Sequence, residues 1–284
     1  MIEVLRDPGA AREWCARARG GGESLGFVPT MGALHSGHLA LVARALAGND
    51  RACASVFVNP LQFDERRDFD RYPRDLEGDA RLLEGAGCDM VFTGTLPQFF
   101  PEPAGAPLRD PGPRALGLEG DLRPGHFAGV ATIVARLFDL VRPDRAYFGQ
   151  KDFQQTLVVR DLARSMGFPR IVVCPTVREP DGLAMSSRNR LLSPADRERA
   201  TVLFRSLEAA RAAWSRGSRR AREISAAMLE VLEPAGLDVE YAAVRDPEAW
   251  TRGEPEGELE RAVALVAARL SSVRLIDNAI LSER

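Results

Sequence analysis

Two histidines three residues apart, His35 and His38, stand in the string PTMGALHSGH at residues 29–38, and the chain has only three histidines in all. Residues three apart on a helical turn share a face, so both imidazoles can donate to the oxygens of one phosphate. Gly32 and Gly37 remove Cβ atoms where a backbone must come close to a ligand, and a helix N-terminus offers unpaired N–H groups to an anion. Met31, Gly32, Ala33, Leu34, His35, Ser36, Gly37 and His38 therefore read as a phosphate cradle. An ordinary strand-turn-helix with two solvated histidines fits the same spacing, so the rest of the chain must decide.

Composition supplies a second chemical signal. Of 38 basic residues, 37 are Arg and one, Lys151, is Lys. A compact ammonium meets phosphate as a point charge where a guanidinium presents a planar fork. The single lysine thus marks a position that needs the former, with chance retention as the alternative. Side-chain amides cluster in the same way: Asn59, Gln62, Gln150, Gln154, Gln155 and Asn189 are six of nine Asn and Gln residues.

Asn59 and Gln62 follow an apolar strand, and an amide at a strand's carboxyl end can pair with a substrate carboxylate or hydroxyl. A plain Asn-Pro turn is the other reading. In FGQKDFQQ, Gly149 allows a turn, and Gln150, Lys151 and Asp152 stand before a helix, where Lys151 can neutralise phosphates. Downstream, the segment from Val177 to Met185, Ser186, Ser187 and Arg188 offers two hydroxyls and a cation, a fit for a leaving pyrophosphate. On its own, S-S-R-N is a helix-capping loop. The third histidine, His126 in RPGHF, reads as structural or substrate-orienting.

These groups need elements to hold them. Leu25, Phe27 and Val28 form a strand ending at Pro29, and Leu39, Leu41, Val42, Ala45 and Leu46 recur at helical spacing. Further strands are expected at 52–58, 90–92, 146–148 and 171–174, with helices between them. The charged run at 64–74 reads as a solvated loop or a lid, and 97–113 as a proline-rich connection. From about residue 177 the order changes to a long helix from Ser193 to Trp214, a second at 219–232, and strands at 239–244, 262–268 and 274–276. The expectation is an α/β protein: a Rossmann-like doubly wound parallel sheet over 1–176, then a smaller α+β domain over 177–284.

The remaining composition sets bounds. With 40 acidic residues the net charge is −2, which gives no global footprint for nucleic acid. Four scattered cysteines, no CxxC pair and no leader predict a reduced, cytoplasmic protein. No apolar run of about 18 residues predicts a membrane span.

HSGH resembles the HIGH signature of the nucleotidylyltransferase and class I aminoacyl-tRNA synthetase superfamily, and the longer PTMGAL-HSGH string resembles the pantothenate synthetase family. The likeness runs from Pro29 to the RLIDN string at 274–278, and five motifs recur in family order. Gln150 departs from the family's usual acidic residue before the lysine. The resemblance implies ATP-dependent condensation of pantoate with β-alanine through a pantoyl-adenylate, with Mg²⁺, in a homodimer. It gives His38, His35 and Lys151 catalytic roles, with His38 the proton donor, and Gln62 and Gln155 the pantoate contacts. Arg188 takes the basic role of the synthetases' second signature. A sibling nucleotidylyltransferase would need more basic residues for a phosphorylated acceptor, where this chain offers Asn59, Gln62 and Gln155. A silent nucleotide- or RNA-binding module would not need His38, Lys151 and Ser186 together. A metal site on His35 and His38 lacks a third ligand at usable spacing.

Overall fold

Strands that run apolar along their length, with no polar face, are those of a parallel sheet covered on both sides, and Leu25 to Pro29 of β2 (Leu25–Thr30) have this character. In the computed structural model, which describes residues 1–64, 66–101 and 105–281, the chain divides into two compact units.

The first unit comprises Met1–Ala115, Glu119–Gln150 and Gln154–Pro175. Its elements are β1 (Glu3–Leu5), α1 (Pro8–Gly20), β2, α2 (Ser36–Gly48), β3 (Arg51–Val56), α3 (Arg66–Arg71), α4 (Leu76–Gly85) and β4 (Met90–Phe92). There follow α5 (Leu96–Phe99), α6 (Glu119–Leu122), α7 (His126–Val141), β5 (Arg145–Gly149), α8 (Phe153–Met166) and β6 (Arg170–Cys174). All six strands pair in parallel, in the order β1-β4-β3-β2-β5-β6. Alternation along β2 sends Phe27 into one core with Phe92, Phe99 and Phe138, and Val28 into another with Leu41, Val42 and Ala45. The chain lays down β3 and β4 on one side of β2, then returns through the almost wholly buried α7 to place β5 and β6 on the other. The order of the sheet therefore reverses between β2 and β5, and a sheet of this kind binds ligands beyond the strand ends at that point.

The second unit comprises Leu116–Leu118, Lys151–Phe153 and Thr176–Arg284. It holds α9 (Pro194–Arg199), α10 (Val202–Ser215), α11 (Ala221–Leu232) and an antiparallel sheet of β7 (Asp238–Arg245), β8 (Ala262–Leu270) and β9 (Val273–Leu281), in that order. Leu203, Leu207 and Trp214 of α10 and Ile224, Met228 and Leu232 of α11 bury their apolar faces with Ala264, Val266 and Ala268 of β8.

Three expectations change. The single helix expected up to Trp214 is two, parted at Ala200 and Thr201; the Ser193 hydroxyl caps the first by accepting the Asp196 N–H at 3.1 Å. The charged run contains α3: Phe63 packs edge-on to Phe69 and Tyr72, and Arg74 stacks over Phe69. Charge density concealed that aromatic cluster, and Glu65 of the run lies outside the described residues. Lys151 and Asp152, expected in the first domain, belong to the second unit. Among the described residues no helix is long and apolar enough to cross a membrane.

Candidate active site

β2 ends at Thr30, and the next eight residues turn the chain into α2. Gly32 adopts φ +84°, and a Cβ there would lie 2.7 Å from the Asp79 carboxylate, so only glycine fits. Ala33 follows at φ 51°, the left-handed region that side-chain-bearing residues rarely occupy. Asp79, on α4 and 4% exposed, holds this turn by accepting the N–H groups of Ala33 at 3.0 Å and Leu34 at 2.8 Å. Asp79 was not anticipated from the sequence, although a signal existed: Leu76, Asp79, Ala80 and Leu83 form one helical stripe, so this carboxylate sits on an apolar face.

His35 is the N-cap of α2, and its Nδ1 accepts the Gly37 N–H at 3.2 Å. His38 reaches back, its Nδ1 accepting the His35 N–H at 3.4 Å. The two rings lie 4.1 Å apart, tilted by 45°. A capping box normally pairs Ser or Thr with Glu or Gln; here two imidazoles do both jobs. The consequence is a fixed tautomer. A ring nitrogen that accepts a hydrogen bond carries no proton, so each neutral ring holds its proton on Nε2, as a donor.

Asn59 and Gln62 occupy the 3-10 turn after β3. Asn59 is 1% exposed; it accepts the Leu61 N–H, and its Nδ2 donates to Gln62 Oε1 at 3.0 Å and to the Gly129 carbonyl at 3.2 Å. The structure turns Asn59 inward, where it orients Gln62, while Gln62 is half-buried with its Nε2 against the Met31 sulfur at 2.9 Å. His126 braces the same turn, its Nδ1 2.7 Å from the Gln62 carbonyl, and Arg123 joins it while pairing with Asp64 at 3.1 Å. Gly129 was also missed. A Cβ on this glycine would stand 2.0 Å from the Leu61 carbonyl oxygen, so α7 presses directly on the backbone that carries Gln62. Of the adjacent amides on α8, Gln154 is a brace, bonded to the Glu119 N–H and the Arg114 carbonyl. Gln155 is half-buried.

The chain leaves β5 at Gly149, and the Gln150 N–H donates to the Cys174 carbonyl at 2.8 Å. Met31 to His38, Asn59, Gln62, Gly149, Gln150 and Gln155 all lie in the first unit. Lys151, Asp152, Val177, Met185, Ser186, Ser187 and Arg188 lie in the second. There Lys151 occupies the turn before α8, mostly covered, with its Nζ 3.7 Å from Asp152. Val177 accepts the Met185 N–H, and Arg178 pairs as a bridge with Ala184, closing a narrow hairpin. Ser186 caps the following 3-10 turn, its Oγ accepting the Arg188 N–H at 3.3 Å. Arg178, unremarked in the sequence, makes a bidentate pair with Asp277 at 2.6 and 3.0 Å and stacks over Phe204.

None of the four thiols is an exposed nucleophile. All are free and buried, and burial pushes Cys88 up to about 12. Among the described residues no group of three His, Cys, Asp or Glu could hold a metal ion.

The parallel sheet, its reversal beside β2 and the imidazole-capped turn at that point define a Rossmann-like α/β enzyme. The family model of pantoate-beta-alanine ligase matches residues 3–280. The pantothenate synthetase of Rubrobacter xylanophilus is 51% identical over 98% of both chains, and that of Thermus thermophilus is 48% identical over 90% of this chain and 92% of its own. The crystal structure of the Thermus thermophilus enzyme superposes with a TM-score of 0.90 at 46% identity, covering 98% of this chain and 99% of the other. A pantoate-beta-alanine ligase from Francisella tularensis, complexed with beta-gamma ATP and beta-alanine, gives a TM-score of 0.79 at 29% identity over 99% and 98%. The chain belongs to the pantoate-beta-alanine ligase family. It is a ligase that condenses pantoate with β-alanine in an ATP-dependent reaction.

Proposed function

We propose that the turn into α2 binds the ATP phosphates and that His38, His35 and Lys151 stabilise charge as pyrophosphate leaves. The observation that carries this reading is the reciprocal imidazole cap, which commits both Nδ1 atoms to the backbone and makes both Nε2–H groups donors at a helix N-terminus. A carboxylate is a poor acyl donor, so pantoate must be activated. Its carboxylate oxygen attacks the α-phosphorus, forming an O–P bond as the bond to pyrophosphate breaks. The product is the pantoyl-adenylate. The β-alanine amine then attacks the acyl carbon, a C–N bond forms, AMP departs and the amine loses a proton. Catalysis here is positioning and charge stabilisation, as is usual for transfer at phosphorus.

His38 serves as the proton donor, with His35 beside it on the phosphates. Met31 to Leu34, Ser36, Gly37, Gly149, Gln150, Asp152, Val177 and Met185 line the nucleotide. Lys151, Ser186, Ser187 and Arg188 meet the departing pyrophosphate. Gln62 and Gln155 hold pantoate, and Asn59 acts by orienting Gln62. Mg²⁺ fits as an ion carried in on the phosphates, since it keeps several waters and needs few protein ligands; it supplies charge neutralisation there. The buried free thiols support a reducing, cytoplasmic setting. A homodimer rests on family likeness, and sedimentation of the purified chain tests it.

The deciding experiment is pyrophosphate release from ATP with pantoate present and β-alanine absent, followed by addition of β-alanine. Pantoate-dependent release, then AMP and pantothenate on adding the amine, supports both half-reactions. Release that requires β-alanine from the start would overturn the adenylate route.

A further inference from the structure

We propose that Asn278 is a positioning residue for Lys151, its buried amide fixing the backbone turn from which the ammonium is presented. The proposal rests on the reading that Lys151 acts on ATP phosphates.

Lys151 falls between β5, which ends at Gly149, and α8, which begins at Phe153, so it belongs to neither the strand nor the helix. Its carbonyl is held from elsewhere: Asn278 Nδ2, on β9, donates to Lys151 O at 2.9 Å. The two residues are 127 positions apart. Asn278 is 2% exposed, so its amide makes this bond away from competing water, where breaking it is costly.

The neighbouring residue explains how the strand keeps Asn278 in place. Side chains of consecutive strand residues leave on opposite faces. Asp277, 3% exposed, takes the Arg178 fork, and its Oδ1 also accepts the Asn278 N–H at 2.8 Å. One face of β9 thereby ties down the hairpin that begins at Val177 and leads to Ser186 and Arg188, and the other ties down Lys151. Two adjacent residues in RLIDN fix two separate pieces of the charged half of the site.

Amide usage points the same way. Three of the nine Asn and Gln residues lie outside the clusters recognised in the sequence: Asn49, Gln98 and Asn278. Asn49 bonds the Ala45 carbonyl and the Tyr147 hydroxyl, and Gln98 completes the cap of a four-residue helix. Asn278 alone of the three reaches a residue assigned to the chemistry. An aspartate could not replace it while ionised, because the bond needs a donor facing a carbonyl.

The test is a double-mutant cycle on pyrophosphate release, with thermal melts of every variant. Asn278→Ala and the similarly branched Asn278→Leu are each combined with Lys151→Ala. Either single Asn278 variant should lower kcat about tenfold, the scale of one hydrogen bond, while leaving KM for pantoate unchanged. In the Lys151→Ala background the same change should add no further loss, because the lysine it serves is gone. A merely structural role predicts multiplying losses and lowered melting temperatures, and that result overturns the proposal, as does full turnover in Asn278→Leu. If Lys151→Ala is itself fully active, the reading of the lysine fails instead.

Discussion

The two halves of the proposed site are built by opposite means. In the cradle between β2 and α2 the two imidazoles are held by bonds that span two or three residues, Gly37 to His35 and His35 to His38, and only the preceding turn is tied from afar, by Asp79 at 45 and 46 residues. The charged half is held from far along the chain, Arg178 by Asp277 and Lys151 by Asn278, at separations of 99 and 127 residues. Rigid rings with two torsions suit local capping. A flexible lysine on a turn between a strand and a helix gains from a remote clamp, because ordering its backbone costs entropy that a buried bond offsets. Helix capping fixes the side chains in one unit, and a strand fixes them in the other.

The comparison is tested most severely at His38. His38→Ala should lose about 10²- to 10⁴-fold in kcat, the usual scale for a positioned acid-base group, with an unchanged far-UV spectrum and a melting temperature lowered only by the loss of its bond to the His35 N–H. Near-wild-type turnover would remove the ring from the mechanism and leave the cap as its whole purpose. Asp79→Asn comes next and probes the pair of long-range bonds that hold the turn before the local caps. An amide there can accept only one of the Ala33 and Leu34 N–H groups, and a buried orphan donor costs about 1–3 kcal/mol. Urea denaturation should show that loss, and pyrophosphate release should fall with it as the left-handed Ala33 relaxes. Unaltered stability would mean that the turn holds itself.

This contrast also decides what the sequence could tell. The strand-turn-helix around His35 and His38, the parallel sheet and the three C-terminal strands were legible because they rest on periodicity and on spacings of three or four residues. His35 and His38 announced themselves by being scarce as well as close. Asp79, Gly129 and Asp277 were not read, since each acts on a partner far away in sequence, a backbone for the first two and the Arg178 guanidinium for the third, and their types alone suggest a solvated acid, a helix weakener and another acid. Two of them left traces. Asp79 interrupts an apolar stripe, and Gly129 interrupts a helix buried on nearly every side. The break at Ala200 and Thr201 had no such trace, because Ala and Arg continue helically across it. Lys151 was singled out by composition, but its bond to Asn278 within the second unit is one that no local pattern reveals.

Lys151→Arg sharpens the comparison at smaller scale. Charge is kept, while the compact ammonium becomes a fork on a longer stem. If the remote clamp fixes the turn for one head-group geometry, kcat should fall about tenfold or more with little change in melting temperature. Full activity would show that the charged half needs only a positive charge, and that the lone lysine is an accident of composition.

The smallest effect is expected where a local and a remote bond meet on one carboxylate. Asp196 accepts the Ser271 hydroxyl at 2.9 Å from 75 residues away, the Ser193 hydroxyl at 3.0 Å, and the Arg199 guanidinium at 3.1 Å. The Ser271 bond, then the Ser193 bond, hold its carboxyl below the ordinary carboxylate range. A group depressed in the fold contributes stability above its unfolded pKa and loses it as pH falls through the folded value. Ser193→Ala removes a helix cap as well, so it should cost about 1 kcal/mol at neutral pH, and Ser271→Ala less. Thermal melts from neutral pH down to about pH 2 separate the two causes. The Ser271→Ala deficit should shrink in acid as Asp196 protonates, whereas the capping part of the Ser193→Ala deficit should persist, because an N-cap hydroxyl accepts the Asp196 N–H whatever the carboxyl's charge. Equal deficits at every pH would mean that the remote serine holds position rather than charge, and the second unit would then depend on distant bonds for geometry alone.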